Sequence, residues 1–247
     1  MKTTGNTIFM TGGTSGIGLG LARKFRDLGN TVIISGRRKD LLDRIAAEDG
    51  IEGIVLDVAD PESITVAVET VTTTHPDLNV VVTMAGIMRV EDLHDPAHLA
   101  TSEEIIAINL LDTIRTITAF TPYLLKQPDP AILTVSSGLA FVPLVITPTY
   151  NATKAAVHSY TQSLRRQLAD TPLQVIEVVP PAVRTALLNQ ENDERAMPLD
   201  DYLTETVALL QQQPDAEEIL VDRVRFLRDA ERENRYDQVI QVLNSAH

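Results

Sequence analysis

Short apolar segments rich in β-branched residues alternate with helical patterns along most of the 247-residue chain. The near-continuous apolarity of these segments is typical of strands buried on both faces, as in a parallel sheet. The predicted strands cover 6–12, 31–36, 53–58, 78–86, 131–137 and 173–181. The helical patterns cover 16–29, 60–75 and 101–127, the last with Thr101 or Ser102 as N-cap. This alternation predicts an α/β fold with three layers, in which a doubly wound parallel sheet lies between two layers of helices.

The composition narrows the functional classes. Hydrophobic residues make up 44% of the chain, enough for a sizeable core. No apolar run approaches the roughly 20 residues that span a bilayer, so we expect no membrane partner. The first residues lack the features of a secretion signal, and the chain has no cysteine, which together favour a cytoplasmic protein. The five histidines show no metal-ligand spacing, so no metal is predicted.

The formal net charge of −13 argues against a nucleic-acid partner, because nucleic-acid binding needs a basic surface. It does not argue against a small anionic ligand, since a few local arginines can create a positive pocket on an acidic protein. A small-molecule partner is therefore expected.

A glycine-rich stretch, TGGTSGIG at 11–18, lies between the first predicted strand and the first predicted helix. Its glycines allow a tight turn, a close approach of the backbone to a pyrophosphate, and close packing of the helix on the sheet. The helix N-terminus offers N–H groups and a positive dipole end to the phosphates. An ordinary turn is the alternative, but the strand–turn–helix context favours a dinucleotide site. The predicted contacts are Gly12, Thr14, Ser15, Gly16, Ile17 and Gly18.

The end of the second predicted strand favours NADP(H) over NAD(H). A ribose with a free 2′-hydroxyl is usually held by an acidic residue about 20 residues after the glycines. This chain has Gly36, Arg37 and Arg38 there. Gly36 carries no carboxylate to repel a 2′-phosphate, and Arg37 can present its planar guanidinium to that phosphate. Two solvated arginines at a strand end are the alternative interpretation.

Tyr150 and Lys154 lie one turn apart if a helix begins near residue 150, with Thr149 as its N-cap. A tyrosine with a pKa of about 10 is a poor acid–base catalyst at neutral pH. A neighbouring ammonium lowers that pKa, so the phenol could give a proton to a carbonyl oxygen while a reduced nicotinamide delivers hydride. Such pairs also arise by chance in helices, so a structural role is the alternative.

Six features together resemble the short-chain dehydrogenases/reductases, in order and spacing, over about residues 6–185. They are TGGTSGIG, LDV (56–58), MAG (84–86), Asn109, VSSG (135–138) and YNATK (150–154). The resemblance implies a single Rossmann-fold oxidoreductase domain over 1–247 that acts on a CH–OH group. The segment 186–201 would be a mobile substrate loop, and 217–247 is a divergent C-terminal segment with a short strand and a charged helix.

The resemblance also implies the catalytic roles. Tyr150 would be the acid/base, and Lys154 would lower its pKa and bind the nicotinamide ribose. Ser137 would orient the carbonyl oxygen, with Ser136 as the fallback. Asn109 would hold a water that joins Lys154 to a proton relay. 

Further binding residues follow from the same resemblance. The remaining cofactor contacts would be Asp57 and Val58 at the adenine, Ala85 and Gly86 in the cleft, and Pro180, Val183 and Thr185 near the nicotinamide. The apolar segment 139–149 would form a wall of the substrate pocket, which implies a substrate with apolar character. The predicted lining residues, each of which could equally be core, are Met88, Leu139, Phe141, Val142 and Ile146.

Three positions depart from the family pattern. Met84 stands where the family commonly has asparagine, so a side-chain hydrogen bond at that strand end is lost. Pro181 replaces the usual glycine and cannot donate a backbone N–H. The tail lacks the usual glycine-rich final strand, so the common tetramer interface cannot be assumed, although a homodimer or homotetramer is expected through the helices at 101–127 and 150–170.

The double proline, ISGRRKDLLD and the C-terminal sequence resemble a bacterial branch of the family. That branch is labelled by association with D-alanine esterification of teichoic acids, a role that the residues themselves do not indicate. The leading hypothesis is an NADP(H)-dependent carbonyl reductase or alcohol dehydrogenase. The alternatives are a non-catalytic NADP(H)-binding sensor or interaction protein, or epimerisation or dehydration on the same fold.

Overall fold

The computed structural model describes residues 1–245. Its strands are β1 (Thr7–Thr11), β2 (Thr31–Gly36), β3 (Glu52–Val55), β4 (Leu78–Thr83), β5 (Ala131–Val135), β6 (Gln174–Val178) and β7 (Glu218–Ile219). They form one sheet in the order β3-β2-β1-β4-β5-β6-β7, and all six neighbouring pairs are parallel. The order reverses between β1 and β4, which is where doubly wound sheets open a crevice at the carboxyl ends of their strands.

The helices cover both faces of the sheet. They are α1 (Gly16–Asp27), α2 (Lys39–Asp49), α3 (Pro61–Thr74), α4 (His98–Ile106), α5 (Asp112–Leu124), α6 (Pro148–Gln167), α7 (Leu199–Gln212), α8 (Arg225–Arg228) and α9 (Tyr236–Leu243). One buried cluster packs α1, α2 and α7 on one face, and a second packs α3 and α5 on the other. Because both faces are covered, β1, β4 and β5 are buried along their whole length.

The predicted α/β fold is confirmed. Each of the six predicted strands is present with ends that differ by a few residues, and β7 is the short strand expected in the C-terminal segment. Asp60 caps α3, since its side chain accepts a 3.0 Å hydrogen bond from the Glu62 N–H. Helices α2 and α7 had no specific prediction.

Two predicted helix starts are wrong. The helix expected from Thr101 or Ser102 begins three residues earlier, at His98. It runs through a π-helical turn, Ala107–Leu111, into α5. Helix α6 begins at Pro148, after Thr147, rather than after Thr149. Ser102 and Thr149 resemble N-caps in sequence, but their hydroxyls bind the same carboxylate from a distant loop.

The predicted substrate loop, 186–201, is shorter than expected because its last three residues form the first turn of α7. It contains one 3-10 turn, Leu187–Asn189, and a bridge between Val183 and Met197 joins its two ends. Two residues of the C-terminal segment, 246–247, lie outside the described residues. Within the described part of the chain, no helix has the length and apolarity needed to cross a membrane.

Candidate active site

The glycine-rich loop leaves no space for a side chain at Gly12 or Gly18. A β-carbon at Gly12 would lie 2.6 Å from the Ala85 Cα, and one at Gly18 would lie 2.3 Å from the Gly12 carbonyl oxygen. Gly12 and Gly16 have φ of 71° and 51°, in the left-handed region that favours glycine. The loop therefore packs its backbone directly against the end of β4 and against its own helix.

The N-terminus of α1 has the features of an anion site. Ser15 is the N-cap in an extended conformation, and among residues 1–245 its side chain makes no capping hydrogen bond. The first turn holds no acidic residue, while Lys24 and Arg26 lie in the last turn. The first N–H groups and the positive end of the helix dipole thus point at the glycine loop, an arrangement that fits a pyrophosphate.

Residues predicted to bind the cofactor from four separate segments converge on this loop. A β-carbon at Gly16 would lie 3.3 Å from Thr185 Cγ2, and one at Gly36 would lie 2.7 Å from Thr14 Cγ2. The ends of β1, β2, β4 and the segment after β6 therefore meet in one crevice.

The other predicted cofactor contacts are not shown to lie against the glycine loop. Arg37 and Arg38 are exposed after β2, and within the described residues neither side chain forms an ion pair. Asp57 is exposed, and its Oδ1 accepts a 3.0 Å hydrogen bond from the Ala59 N–H. Val183 is buried in the core. The individual contacts assigned to Val58, Ile17 and Pro180 stay predictions.

Hydrogen bonds hold the strand ends next to both departures near the cleft. Where Met84 replaces asparagine, the Thr11 hydroxyl accepts hydrogen bonds of 3.2 Å from the N–H groups of Met84 and Ala85. The end of β4 is thus tied to β1 without a side chain at position 84. Beside Pro181, the carbonyl of Pro180 accepts a 2.9 Å hydrogen bond from the Gly138 N–H, which joins the ends of β5 and β6.

Tyr150, Lys154 and Ser137 lie together beside this crevice. Both Tyr150 and Lys154 are almost fully buried on α6, and the Lys154 Nζ lies 5.6 Å from the centre of the Tyr150 ring. Lys154 donates a 2.8 Å hydrogen bond to the carbonyl of Val135, at the end of β5. A β-carbon at Gly86 would lie 3.8 Å from the Lys154 Nζ, so the ammonium borders the cofactor crevice.

The pKa of Tyr150 differs from the expectation. Burial raises the Tyr150 pKa to about 12, and the nearby Ser137 hydroxyl offsets part of that rise. Burial therefore outweighs the lowering that was expected from Lys154, and the role of Lys154 stays a prediction. Burial also lowers the pKa of Lys154 to about 8, against the charges of Asp112 and Glu177. Desolvation has a larger effect on both groups than their proximity has.

Ser136 and Ser137 have different partners. The Ser136 hydroxyl donates to Glu177, which lies buried in β6. The Ser137 hydroxyl accepts a 3.1 Å hydrogen bond from the Leu139 N–H and lies on the side of Tyr150. Ser137 is thus better placed for the predicted role than the fallback Ser136.

Asn109 lies in the π-helical turn between α4 and α5. Its side chain accepts a 2.8 Å hydrogen bond from the Ile87 N–H and donates a 2.9 Å hydrogen bond to the Ile87 carbonyl. The Thr113 hydroxyl donates to the Asn109 carbonyl at 3.2 Å. Asn109 therefore holds the segment after β4 beside Lys154, and its predicted role in a water relay stays a prediction.

Glu91 is a site residue that the sequence reasoning missed. Its carboxylate accepts hydrogen bonds from the Thr149 N–H at 3.0 Å, the Thr149 hydroxyl at 2.7 Å and the Ser102 hydroxyl at 2.7 Å. The Glu91 N–H also donates to the Ile146 carbonyl at 3.0 Å. A carboxylate from the loop after β4 thus caps the helix that carries Tyr150. No sequence spacing links Glu91 with Thr149, so only the fold reveals this contact.

Part of the segment 139–149, the predicted wall of the substrate pocket, packs against the C-terminal segment. Val142 is fully buried against Leu227, Ala230 and Val239 of the C-terminal segment, which corrects its assignment to the pocket. The Phe141 ring lies 4.4 Å from the Arg228 guanidinium and 4.7 Å from the His158 ring. Phe141 and Leu139 line a surface cavity of about 370 Å³ that extends along α6 to Tyr236. Met88 and Ile146 are partly exposed near Glu91, and their pocket role stays a prediction.

Three side chains of types that can bind a metal lie close together on α6, β6 and β7. Single ligand atoms of His158, Glu177 and Glu218 lie within 4.8 Å of one another. Arg228 donates to both oxygens of Glu218 at 2.9 Å, so a guanidinium already supplies the cation there. The cluster is best described as an ion-pair network.

A family model provides the deciding comparison. The model for short chain dehydrogenases matches residues 6–196 of this chain. The chain belongs to the short-chain dehydrogenase family. It is also 38% identical to the uncharacterized oxidoreductase DltE of Bacillus subtilis, over 99% of each chain. An uncharacterized oxidoreductase of Staphylococcus aureus, SA2266, is 30% identical over 77% of this chain and 84% of that relative. The resemblance to the family and to its bacterial branch is confirmed, and the chain is an oxidoreductase of that family.

Solved structures agree on the fold. A short chain dehydrogenase from Burkholderia cenocepacia, in complex with NADP, superimposes with a TM-score of 0.81 at 22% identity, covering 98% of each chain. An alcohol dehydrogenase from Thermococcus sibiricus, complexed with 5-hydroxy-NADP, gives 0.77 at 23% identity over 88% of this chain and 96% of that chain. The Rossmann-like fold is thus shared with proteins that bind this type of nucleotide.

Proposed function

We propose that the protein is an NADP(H)-dependent oxidoreductase that interconverts a carbonyl compound and an alcohol, with Ser137, Tyr150 and Lys154 as its acid–base system. One observation carries the proposal. The ammonium of Lys154 borders Gly86 in the crevice of the glycine loop, while the Tyr150 ring lies beside that ammonium. An acid–base pair beside a dinucleotide crevice can transfer a proton while a bound nicotinamide transfers hydride.

The protein's own residues perform binding, orientation and proton transfer. The N-terminus of α1 would hold the pyrophosphate, and Lys154 would hold the ribose on the nicotinamide side. Ser137 donates a hydrogen bond to the carbonyl oxygen and sets it against the Tyr150 hydroxyl. When bound, a reduced nicotinamide supplies the hydride.

The protonation state of Tyr150 suits the reducing direction. With a pKa raised to about 12 by burial, the phenol is protonated at neutral pH and can donate its proton to a carbonyl oxygen. Lys154, with a pKa lowered to about 8, is mostly an ammonium at the same pH. Its positive charge stabilises the phenolate formed after proton transfer, so its effect is greatest when Tyr150 has lost its proton.

The preference for NADP(H) rests on the end of β2. Gly36 leaves room for Thr14, and the following residue, Arg37, is exposed next to the glycine loop. A guanidinium that lies free of protein carboxylates can pair with a 2′-phosphate. NAD(H) is the less favoured cofactor.

The substrate is proposed to be a small carbonyl or alcohol with apolar character, and the protein to act in the cytoplasm as a homo-oligomer. The apolar residues predicted to line the pocket, among them the partly exposed Met88 and Ile146, are the basis for this substrate class. The segment 186–201 directly follows Thr185, whose side chain lies beside Gly16 of the glycine loop, and we propose that this segment adapts to the substrate.

The proposal is tested by the consumption of NADPH with a panel of ketones and aldehydes. We expect turnover by the native chain and a loss of at least about 100-fold in the Tyr150→Phe variant, because the phenylalanine has no proton to donate. Binding of NADPH, measured by fluorescence, should be retained. Turnover that survives in the variant would contradict the assignment of Tyr150.

The competing functions give different results in the same assay. A sensor or interaction protein would bind NADPH without turnover in either direction. Epimerisation or dehydration would form product without net consumption of the cofactor. The burial of a complete set of Ser137, Tyr150 and Lys154 beside the crevice favours the reductase.

A further inference from the structure

Helix α6 carries a third side chain in line with Tyr150 and Lys154 that the proposed reaction does not use. His158 follows Lys154 by four residues, so the three lie along one face of the helix. The His158 Nδ1 lies 3.0 and 2.8 Å from the two carboxylate oxygens of Glu177. Its Nε2 lies 3.1 Å from the amide nitrogen of Gln162 at the surface. His158 therefore connects the protein surface with a carboxylate inside the sheet.

A carboxylate at position 177 is energetically unfavourable because the position is fully buried. Glu177 has 0% exposure in β6 and pairs in register with Glu218 of β7, so two acidic residues stand side by side. Like charges in this relation destabilise a sheet, and a buried carboxylate needs partners. Arg228 pairs with Glu218. Within residues 1–245, the side chain of Glu177 forms hydrogen bonds only with the Ser136 hydroxyl and with His158.

The end of β5 is held from two sides at consecutive residues. The Lys154 Nζ donates to the carbonyl of Val135, and the hydroxyl of Ser136 donates to Glu177. The next residue is Ser137, which lies beside Tyr150. Glu177 and Lys154 thus hold the same strand end, directly before the residue that is proposed to orient the substrate.

The charge of Lys154 depends on its surroundings as well. Burial lowers the pKa of Lys154, and the negative charges of Asp112 and Glu177 oppose that effect. Removing the charge of Glu177 should therefore lower the Lys154 pKa further. The titratable and charged groups that face Lys154 or Glu177 are Asp112, Tyr150, His158, Glu218 and Arg228.

We propose that Glu177, held by His158 and Ser136, is a positioning residue that fixes the end of β5 and keeps the buried ammonium of Lys154 charged. Its consequence for catalysis rests on the proposed function. The effect on Lys154 itself does not, because it requires only the folded protein.

The test is an NMR titration of the lysine side chains with ¹³C at the ε-carbon. The chain has five lysines, and the Lys154→Met variant identifies the Lys154 signal. We expect the midpoint of Lys154 to fall by about one pH unit in Glu177→Gln, which removes the charge and keeps the shape. Glu218→Gln, the neighbouring acid that pairs with Arg228, should leave the midpoint in place. Equal midpoints in Glu177→Gln and the native chain would overturn the proposal, as would equal shifts in both variants.

His158→Ala keeps the proposal testable if Glu177→Gln does not fold. The His158 side chain reaches the surface, so its removal admits water to Glu177 and screens the carboxylate. The Lys154 midpoint should move in the same direction as in Glu177→Gln, by a smaller interval. An unchanged midpoint in a folded His158→Ala variant would overturn the role of His158.

Kinetics separate this proposal from the proposed function. If Lys154 acts as an ammonium, the alkaline limb of kcat/KM should move to lower pH in Glu177→Gln by the interval that NMR reports. A Lys154 signal that shifts while the alkaline limb stays in place would contradict the catalytic role of Lys154 and leave the effect of Glu177 on its charge intact.

Discussion

At the scale of single residues, the site is governed by desolvation. Burial moves the pKa of Tyr150 up and that of Lys154 down, so the neutral form of each is favoured more in the folded protein than it would be in water. Burial thus opposes the effect of a lysine one turn away, which by itself would lower the pKa of a tyrosine. The sequence predicted which residues pair, but the depth of their burial depends on how α6 packs on the sheet.

Arg37 provides a test of the cofactor preference. We expect Arg37→Ala to weaken NADPH binding by about 10- to 100-fold, the value of a hydrogen-bonded charge, and to leave NADH binding nearly unchanged. Titration calorimetry with both nucleotides measures the difference. Arg23→Ala, which removes an arginine paired with Asp49 on the outer surface, is a matched control. Equal losses for both nucleotides would count against a phosphate contact.

Asp112 gives a pH dependence of stability. It is fully buried at the start of α5, and burial raises its pKa from 3.8 to about 7. The unfolded chain loses this proton first, so the free energy of unfolding should fall as the pH rises from about 4 to about 7. Asp112→Asn should remove that fall and be more stable at about pH 8, by on the order of 2 kcal/mol. Urea unfolding at both ends of the range measures it, and parallel curves for the two proteins would contradict the assignment.

At the scale of elements, the helix that carries Tyr150 is held at its N-terminus by a loop from the other half of the crevice. Glu91 binds Thr149 and Ser102, so the segment after β4, α4 and α6 share one carboxylate. The sequence predicted the helices themselves. It gave wrong starts for two of them, because a hydroxyl that binds a distant carboxylate resembles a helix cap in sequence.

Replacing Glu91 should therefore affect catalysis more than cofactor binding. We expect Glu91→Gln to lower kcat by about 10-fold through displacement of Tyr150, with KM for NADPH changed less than about two-fold. Its melting temperature should fall by a few degrees, since a helix cap contributes about 1 kcal/mol. Ser102→Ala removes one of the same hydrogen bonds and should have a smaller effect. A change in KM alone would show that Glu91 acts on the cofactor.

Most of the fold could be predicted from the alternation of strand and helix patterns in the sequence. Strands buried on both faces have a clear pattern, and the glycine loop needs its residues at fixed positions. The π-helical turn at Asn109 and the buried Glu177 could not be predicted, because both are set by packing between elements distant in sequence.

At the scale of the whole molecule, the C-terminal segment supports the site from behind. Leu227 and Val239 bury Val142, and the Asn244 side chain binds the Pro143 carbonyl at 3.1 Å and the Val145 N–H at 2.7 Å. The segment after β5 is thus fixed on one side by the C-terminus and on the other by α6. The alternative that residues of this segment belong to the core therefore holds for Val142.

Self-association is a prediction at the same scale. Leu99, Ile106 and Leu111 are large apolar residues exposed on α4 and the turn that follows it. Burial of such residues between two copies would stabilise a dimer or tetramer. Light scattering should give the mass of two or four chains. The Leu111→Lys variant should give a lower mass, because a charged side chain weakens the contact between copies. A mass of one chain at micromolar concentration would contradict the prediction.

The most direct test of the account is the transfer of hydride itself. NADPH that carries deuterium at the transferred position is incubated with an accepted carbonyl compound, and the alcohol is analysed by mass spectrometry. The account predicts an alcohol with one deuterium on the carbinol carbon from the native chain, and in the same time almost no alcohol from Tyr150→Phe at equal cofactor occupancy. An alcohol without deuterium, or equal yields of labelled alcohol from both proteins, would contradict it.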